Sequence, residues 1–324
     1  MRTHHIFRHG RRTLVLAAVV FAGLNVVAAF HAWRFTHFTV AAGTHTDNPE
    51  QLTPLQKLGV LLTGIKNPKP VNQQYPSFPF ATLHLASPNG RLECWYGPVA
   101  QPRGTVALFH GYTSSKGKLL TEAAHFRSLG YNVLLTDFAG NGGSTGNVCT
   151  VGHHEAADVA TVLRWLQRRN SPVFVYANSM GAVATLRAEA ELGVQPTANV
   201  LECPYGSMLE TAQSRFRSMR VPSFPMANLL VFWGGVENNF WAFDLDTKHY
   251  AAHVTTPTLL LWGNADPRVT RTETEAIFTA LAGPKQRQDF AGSGHEPYWW
   301  KHPHQWRTVT GEFLRMHYQA TTHK

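Results

Sequence analysis

A doubly wound α/β fold with a mostly parallel sheet is what this sequence predicts, and three observations carry the expectation. Short apolar runs without polar alternation recur at 106–109, 133–135, 173–176, 200–201 and 259–262. Runs of that length suit parallel strands buried on both faces. Helical patterns lie between them: Val159, Val162, Leu163 and Leu166 share one face, and a second pattern covers 118–129. At 173–182, finally, an apolar strand passes through a tight small-residue turn straight into an Ala-rich helix. Strand–helix alternation of this kind specifies a sheet with helices on its faces.

Taken in order, the chain begins with an uncharged stretch at 13–30 that would span roughly 27 Å as a helix. Four arginines (Arg2, Arg8, Arg11 and Arg12) precede it, and His31-Ala32-Trp33-Arg34-Phe35 follows as an interfacial anchor. Residues 1–38 are therefore expected to be a transmembrane anchor, or alternatively a cleaved signal peptide ending near Val27-Ala28-Ala29. If the anchor is kept, the arginine excess places the N-terminus in the cytoplasm and the rest outside it, as in a bacterial inner-membrane protein facing the periplasm. A cleaved segment would leave a secreted protein.

Residues 39–80 read as a proline-rich connector containing Pro49, Pro54, Pro68, Pro70, Pro76 and Pro79. Within it Leu55, Leu58, Leu61 and Leu62 have helical spacing, for a short helix on the domain or the membrane surface. The globular domain is expected over 81–324. It opens with a hairpin of strands at 81–85 and 91–96 around Ser87-Pro88-Asn89-Gly90. After the sixth strand, residues 204–250 break the rhythm with a helix at 207–219 and an aromatic stretch holding Phe232, Trp233, Phe240, Trp241 and Phe243. Gly234-Gly235 offers a hinge there.

The chain has 324 residues, 44% apolar and 15% charged, as a globular protein does. Its net charge of +9 is concentrated at the N-terminus: without residues 1–38 there are 24 basic against 20 acidic side chains. No Lys/Arg-rich, aromatic-interleaved stretch is present, which argues against a nucleic-acid partner. Cys94, Cys149 and Cys203 lack metal-binding spacing; they read as buried small hydrophobes, with a Cys149–Cys203 disulfide as the alternative. His302 and His304 are two metal ligands without a third. The glycines of 140–146 lack the lysine of a phosphate loop, so no nucleotide cofactor is expected.

Chemistry is expected at the carboxyl ends of the strands. Ser179 sits at the strand-to-helix corner in Ala177-Asn178-Ser179-Met180-Gly181, a Gly-x-Ser-x-Gly elbow with alanine in the first position. Phe109-His110-Gly111-Tyr112, Gly263-Asn264-Ala265-Asp266 and Gly292-Ser293-Gly294-His295 occupy other strand ends. Asp137 and Ser144 read as loop supports after their strand. Asp266 and Glu202 compete as the acid partner of a serine–histidine pair, and Asp266 fits the Gly-x-x-Asp-Pro pattern.

With those landmarks in the order Ser179, Asp266, His295, the chain resembles the α/β-hydrolase superfamily over roughly 81–318. Within it, the chain resembles membrane-anchored or secreted bacterial serine hydrolases grouped with serine aminopeptidases and lysophospholipases. The resemblance implies Ser179 as nucleophile, His295 as base and Asp266 as its orienting acid, with the N–H groups of Tyr112 and Met180 as oxyanion donors. His110 would then support the oxyanion turn. The resemblance makes 204–250 a cap over the site, and its aromatics either shelter an acyl substrate or simply pack the cap. Tyr298-Trp299-Trp300 would add to an apolar rim. Hydrolysis of a carboxylic ester, or of a thioester or amide, on a small-molecule or lipid-like substrate is the expected activity, with aminopeptidase, acyltransferase or a non-catalytic scaffold as alternatives. Such hydrolysis needs neither metal nor organic cofactor.

Overall fold

The computed structural model describes residues 2–39, 43–46 and 52–322. Pro49, within the expected connector, lies outside the described residues. Eight strands form one sheet in the order β1-β2-β4-β3-β5-β6-β7-β8. The hairpin β1 (Ala81–Ser87) and β2 (Gly90–Gly97) pairs antiparallel with β4 (Asn132–Thr136). From β4 onward, β3 (Thr105–Phe109), β5 (Val173–Asn178), β6 (Ala198–Glu202), β7 (Thr258–Gly263) and β8 (Lys285–Phe290) run parallel.

Both faces are covered, as the unbroken apolar runs require. Ala107 and Phe109 of β3 join one core with α4 (Glu155–Gln167), α5 (Met180–Leu192) and α9 (Arg271–Ala280). Val106 and Leu108 point the other way, into a second core with α3 (Leu120–Ser128) and α10 (Pro303–Thr322). This alternation is the period of two expected of a strand.

β8 has no counterpart among the apolar runs. Its sequence, Lys-Gln-Arg-Gln-Asp-Phe, buries only Phe290 because it is the sheet's edge strand, where charge blunts unwanted pairing. The expected hinge at Gly234-Gly235 is also corrected. Both glycines lie inside α7 (Met226–Glu237), and a Cβ on Gly235 would come within 2.5 Å of the Phe240 carbonyl oxygen. Close packing of the chain's return past α7, not bending, requires a glycine there. The insertion between β6 and β7 also holds α6 (Met208–Met219) and α8 (Thr247–Ala251).

The N-terminal helix α1 runs Arg2–Thr36, and its segment Arg11–Thr36 is long and apolar enough to cross a membrane. It does not end at a free linker. Phe38 is buried in the first core, and backbone bonds tie Phe38 to Asn147 and Thr36 to Cys149. The expected connector helix is present as α2 (Pro54–Thr63), opened by a Thr53–Gln56 capping box.

A buried ion cluster locks the loops above β3 and β4. The fully buried Lys116 donates to Glu93 at 2.7 Å and to Asp137, and its ammonium lies 4.3 Å from the centre of the Trp95 ring. Burial pushes the Asp137 carboxyl up, but the Lys116 charge and the surrounding hydrogen bonds outweigh it and hold the carboxyl below its ordinary range. Asp137 also accepts from Gly143 N–H, and Ser144 Oγ bonds both Asp137 O and Glu93 N–H. Asp137 and Ser144 thus serve the loop, as their positions suggested. Removing the cation strands two carboxylates: Lys116→Met is expected to cost roughly 3–5 kcal/mol. Urea unfolding measures it, and a loss below about 1 kcal/mol would show that the cluster is no more than an ordinary surface pair.

All three cysteines are free and buried, which corrects the Cys149–Cys203 disulfide. Cys149 Sγ rests 3.3 Å from Met180 Sδ, whereas Cys203 lies beside Asp266 and His295. The two thiols flank the serine corner on different sides.

Candidate active site

The β5–α5 corner is built by close approach. Ala177 is fully buried, paired in register between Phe109 of β3 and Leu201 of β6. A Cβ on Gly181 would meet the carbonyl oxygens of Phe109 and His110 at 2.7 and 2.8 Å, so the first turn of α5 tolerates only glycine there. Between them Ser179 takes φ 48° and ψ −115°, a conformation few non-glycine residues adopt. Its N–H donates to Glu202 O at 2.8 Å, and its carbonyl accepts from Ala182 and Val183 to start the helix. The bend throws the hydroxyl outward, above the carboxyl ends of the strands.

His295 arrives from the loop after β8. Gly263, at the end of β7, lets that loop close in: a Cβ there would lie 2.5 Å from the Ser293 carbonyl oxygen. His295 Nε2 is 3.1 Å from Ser179 Oγ, and Nδ1 is 2.7 Å from Asp266 Oδ2. The other Asp266 oxygen accepts from the N–H groups of Arg268 and Val269 at 2.8 and 3.1 Å. The carboxylate is thereby fixed before the imidazole meets it. Its side chain is fully buried, while the His295 ring keeps 16% of its surface open, so the pair is sheltered but reachable.

Glu202, the competing acid, is turned elsewhere. It accepts from Tyr176 Oη at 2.8 Å, Trp306 Nε1 at 3.2 Å and Tyr298 N–H at 3.2 Å, inside the second core. Burial pushes its pKa up to about 7. Cys203, which the sequence marked only as a buried thiol, lies with its sulfur within 4.8 Å of ligand atoms of Asp266 and His295. Burial raises its pKa well above the ordinary thiol value, so it backs the pair as a neutral group.

Met180 opens α5, where the first N–H groups lack intrahelical acceptors. The Tyr112 turn abuts the same corner, since a Cβ on Gly111 would sit 3.5 Å from Ser179 Cβ. His110 braces this turn: it is fully buried, bonds Gly111 O through Nδ1 at 2.8 Å and accepts Phe138 N–H at Nε2. Burial lowers its pKa, keeping the ring neutral with its proton on Nδ1. The Tyr112 hydroxyl donates to Phe35 O at 2.6 Å and accepts from Asn67 Nδ2 at 2.9 Å. No sequence signal pointed to this tie between the turn and the end of α1.

Four aromatics of the insertion pack on one another, while Phe240 stacks on His153 at 3.9 Å. Phe232 meets Trp233 and Trp241 edge-on at 5.4 and 6.1 Å, and Trp241 meets Phe243 at 5.1 Å. The apolar rim expected at 298–300 is corrected: Tyr298 is fully buried with its hydroxyl on Gly263 N–H, Trp299 bonds Glu122, and only Trp300 is exposed. The Tyr298 hydroxyl accepts the Gly263 N–H at the end of β7 at 2.8 Å, which holds the ring inward.

Comparison with known proteins agrees with this architecture. A family model described as serine aminopeptidase, S33, matches residues 100–233. An uncharacterised Bacillus subtilis protein, YqkD, is 26% identical over 215 residues, covering 65% of this chain and 70% of its own. The lysophosphatidylserine lipase ABHD12 of Macaca fascicularis is 26% identical over 62% of this chain, which spans about half (51%) of that lipase. Among solved structures, a Pyrococcus furiosus esterase, Pf2001, superposes with a TM-score of 0.64 at 23% identity, covering 77% of this chain and 96% of its own. A thermostable carboxyl esterase from Bacillus coagulans gives 0.60 at 17% identity, over 75% of this chain and all of its own. By its sheet order and by these structural likenesses, the chain has the α/β-hydrolase fold.

Proposed function

We propose that this chain is a membrane-anchored serine hydrolase that cleaves carboxylic esters through an acyl-enzyme. The observation that carries the proposal is the continuous hydrogen-bonded line Ser179–His295–Asp266 at a partly open strand end. His295 Nε2 takes the hydroxyl proton as Ser179 Oγ attacks the acyl carbon, and Asp266 holds the proton on Nδ1 and balances the imidazolium. The N–H groups of Met180 and Tyr112 receive the developing oxyanion; loss of one such donor typically costs ~100- to 1,000-fold. His295 then gives its proton to the leaving alcohol. Water, deprotonated by the same nitrogen, releases the acid and restores Ser179. The esterase and lipase relatives support an ester over an amide, and the lysophosphatidylserine lipase supports a lipid-like acyl group.

A panel of p-nitrophenyl esters of rising acyl length, run beside aminoacyl anilides, tests the reading. Esters are expected to turn over faster than anilides by at least about tenfold in kcat/KM. The reverse order would favour the second reading, a serine aminopeptidase, which the matching family model motivates. For topology, the arginines before the span favour the non-cytoplasmic side for the domain. Protease added to cells with a permeabilised outer layer is then expected to digest the domain, and its protection would reverse the orientation.

A further inference from the structure

The membrane helix is too deeply packed against the domain to reach the bilayer by itself. The charge-free stretch between Arg12 and Arg34 is what a bilayer would accept, yet the unbroken exposed run of α1 at 11–23 ends there, and from residue 24 partly buried and buried positions appear. Residues 13–23 rise roughly 16 Å, about half of a hydrocarbon core. Above them the helix already touches two elements. Asn25 Oδ1 accepts Trp233 Nε1 of α7 at 3.0 Å, and Ala28 and Ala32 are buried. His31 Nε2 bonds Leu61 O of α2 at 2.9 Å, and a Cβ on Gly64 would sit 3.1 Å from the Phe30 ring. A bilayer thick enough to hold the span must therefore rise past residue 24, and α7 and α2 must enter it.

Their surfaces suit that place. α2 buries no residue, and Leu55 and Leu62 are 79% and 72% exposed, with Leu58 and Leu61 more than half exposed. In the insertion, Phe224 is 78% exposed just before α7, which carries no charge from Met226 to Val236. Trp241 and Trp33 are also open to the surroundings, as interfacial aromatics are. Lys57, half-buried on α2, can lay its stem along the helix with its ammonium in the headgroups.

We propose that α2 and the insertion form a second membrane-contacting face, continuous with α1, which beds the domain on the adjoining bilayer leaflet. The tie from Tyr112 to Phe35 O then holds the candidate site about 8 Å of helix rise beyond Phe30, close above that leaflet. Resting on the hydrolase reading, an ester substrate reaches Ser179 from the leaflet and not from bulk water.

The full chain, reconstituted in phosphatidylcholine–phosphatidylglycerol vesicles, tests both statements. Leu58→Cys, Leu62→Cys and Phe224→Cys are labelled singly with a nitrobenzoxadiazole fluorophore, with Met316→Cys on α10 as the reference; the native thiols are buried. A lipid spin-labelled at the fifth acyl carbon is expected to quench the three sites at least about twofold more than the reference. Equal quenching at all four would overturn the docked face. A blue-shifted but unquenched label would give the face to a protein partner and overturn it equally. The double variant Leu58→Lys, Leu62→Lys is expected to lose roughly tenfold activity on a vesicle-borne ester while keeping its rate on p-nitrophenyl acetate. Unchanged activity on the vesicle ester would end leaflet delivery. A wild type inert towards every ester would sink the hydrolase reading alone, since quenching still decides the docking.

Discussion

Ser179→Ala is expected to abolish labelling by a fluorophosphonate probe and to lower kcat by about a million-fold, the loss seen when a comparable nucleophile is removed. The oxyanion donors and binding contacts remain in the variant, so a residual rate of ~1,000-fold over water is expected to survive. The backbone supplies an independent readout. At φ 48° and ψ −115° a Cβ is strained, and conformations of this kind cost about 1–3 kcal/mol. That strain is held by the Ser179 N–H bond to Glu202 O and by the packing of Gly181 against the end of β3. Alanine carries the same Cβ and is expected to melt close to wild type. Glycine relieves it, and Ser179→Gly is expected to be more stable by about 1 kcal/mol while equally inactive. Stability given up to hold a serine hydroxyl outward is what the proposed catalytic role requires. Activity near wild type in either variant would remove Ser179 from the mechanism.

How much of this was legible depended on whether the deciding contacts were local. β3 to β7 were readable because strands buried on both faces need only to be apolar. The serine corner was readable because its small residues are sequence neighbours. β8 was not among the apolar runs, since an edge strand obeys no such rule, and only the Gly-Ser-Gly turn after it marked a strand end there. Lys116 sits in a short Lys-Gly-Lys-Leu turn that looks solvated. Its burial follows only when Glu93, Trp95 and Asp137 converge from other strands. The expected boundary after residue 38 cuts through a joint: Phe38 belongs to the core, and Phe35 is bonded to the Tyr112 turn. Hydropathy marks where a chain can cross a bilayer, but not which flanking residues a domain has drawn into its own core.

The choice between Asp266 and Glu202 shows the same limit, and it leads to the sharpest test of roles. Both carboxylates lie at the carboxyl ends of adjacent strands, so strand position could not separate them. Their partners do. Asp266→Asn is expected to lower kcat about 10,000-fold with the fold intact. The asparagine oxygen can still accept from Arg268 and Val269, but its amide now points a donor at His295 Nδ1. The imidazole must then carry its proton on Nε2, facing Ser179, where a base is needed. Glu202→Gln should leave kcat within about threefold, because its three partners lie in the second core, away from His295. Its cost should appear as stability instead. A glutamine must present its amide to donors from Tyr298, Trp306 or Tyr176, leaving a buried group unpaired at about 1–3 kcal/mol. Steady-state kinetics and thermal melting of the two variants therefore give opposite patterns, one losing rate and the other losing stability. If Glu202→Gln loses the rate and Asp266→Asn keeps it, the orienting role moves to Glu202 and the imidazole must turn to reach it.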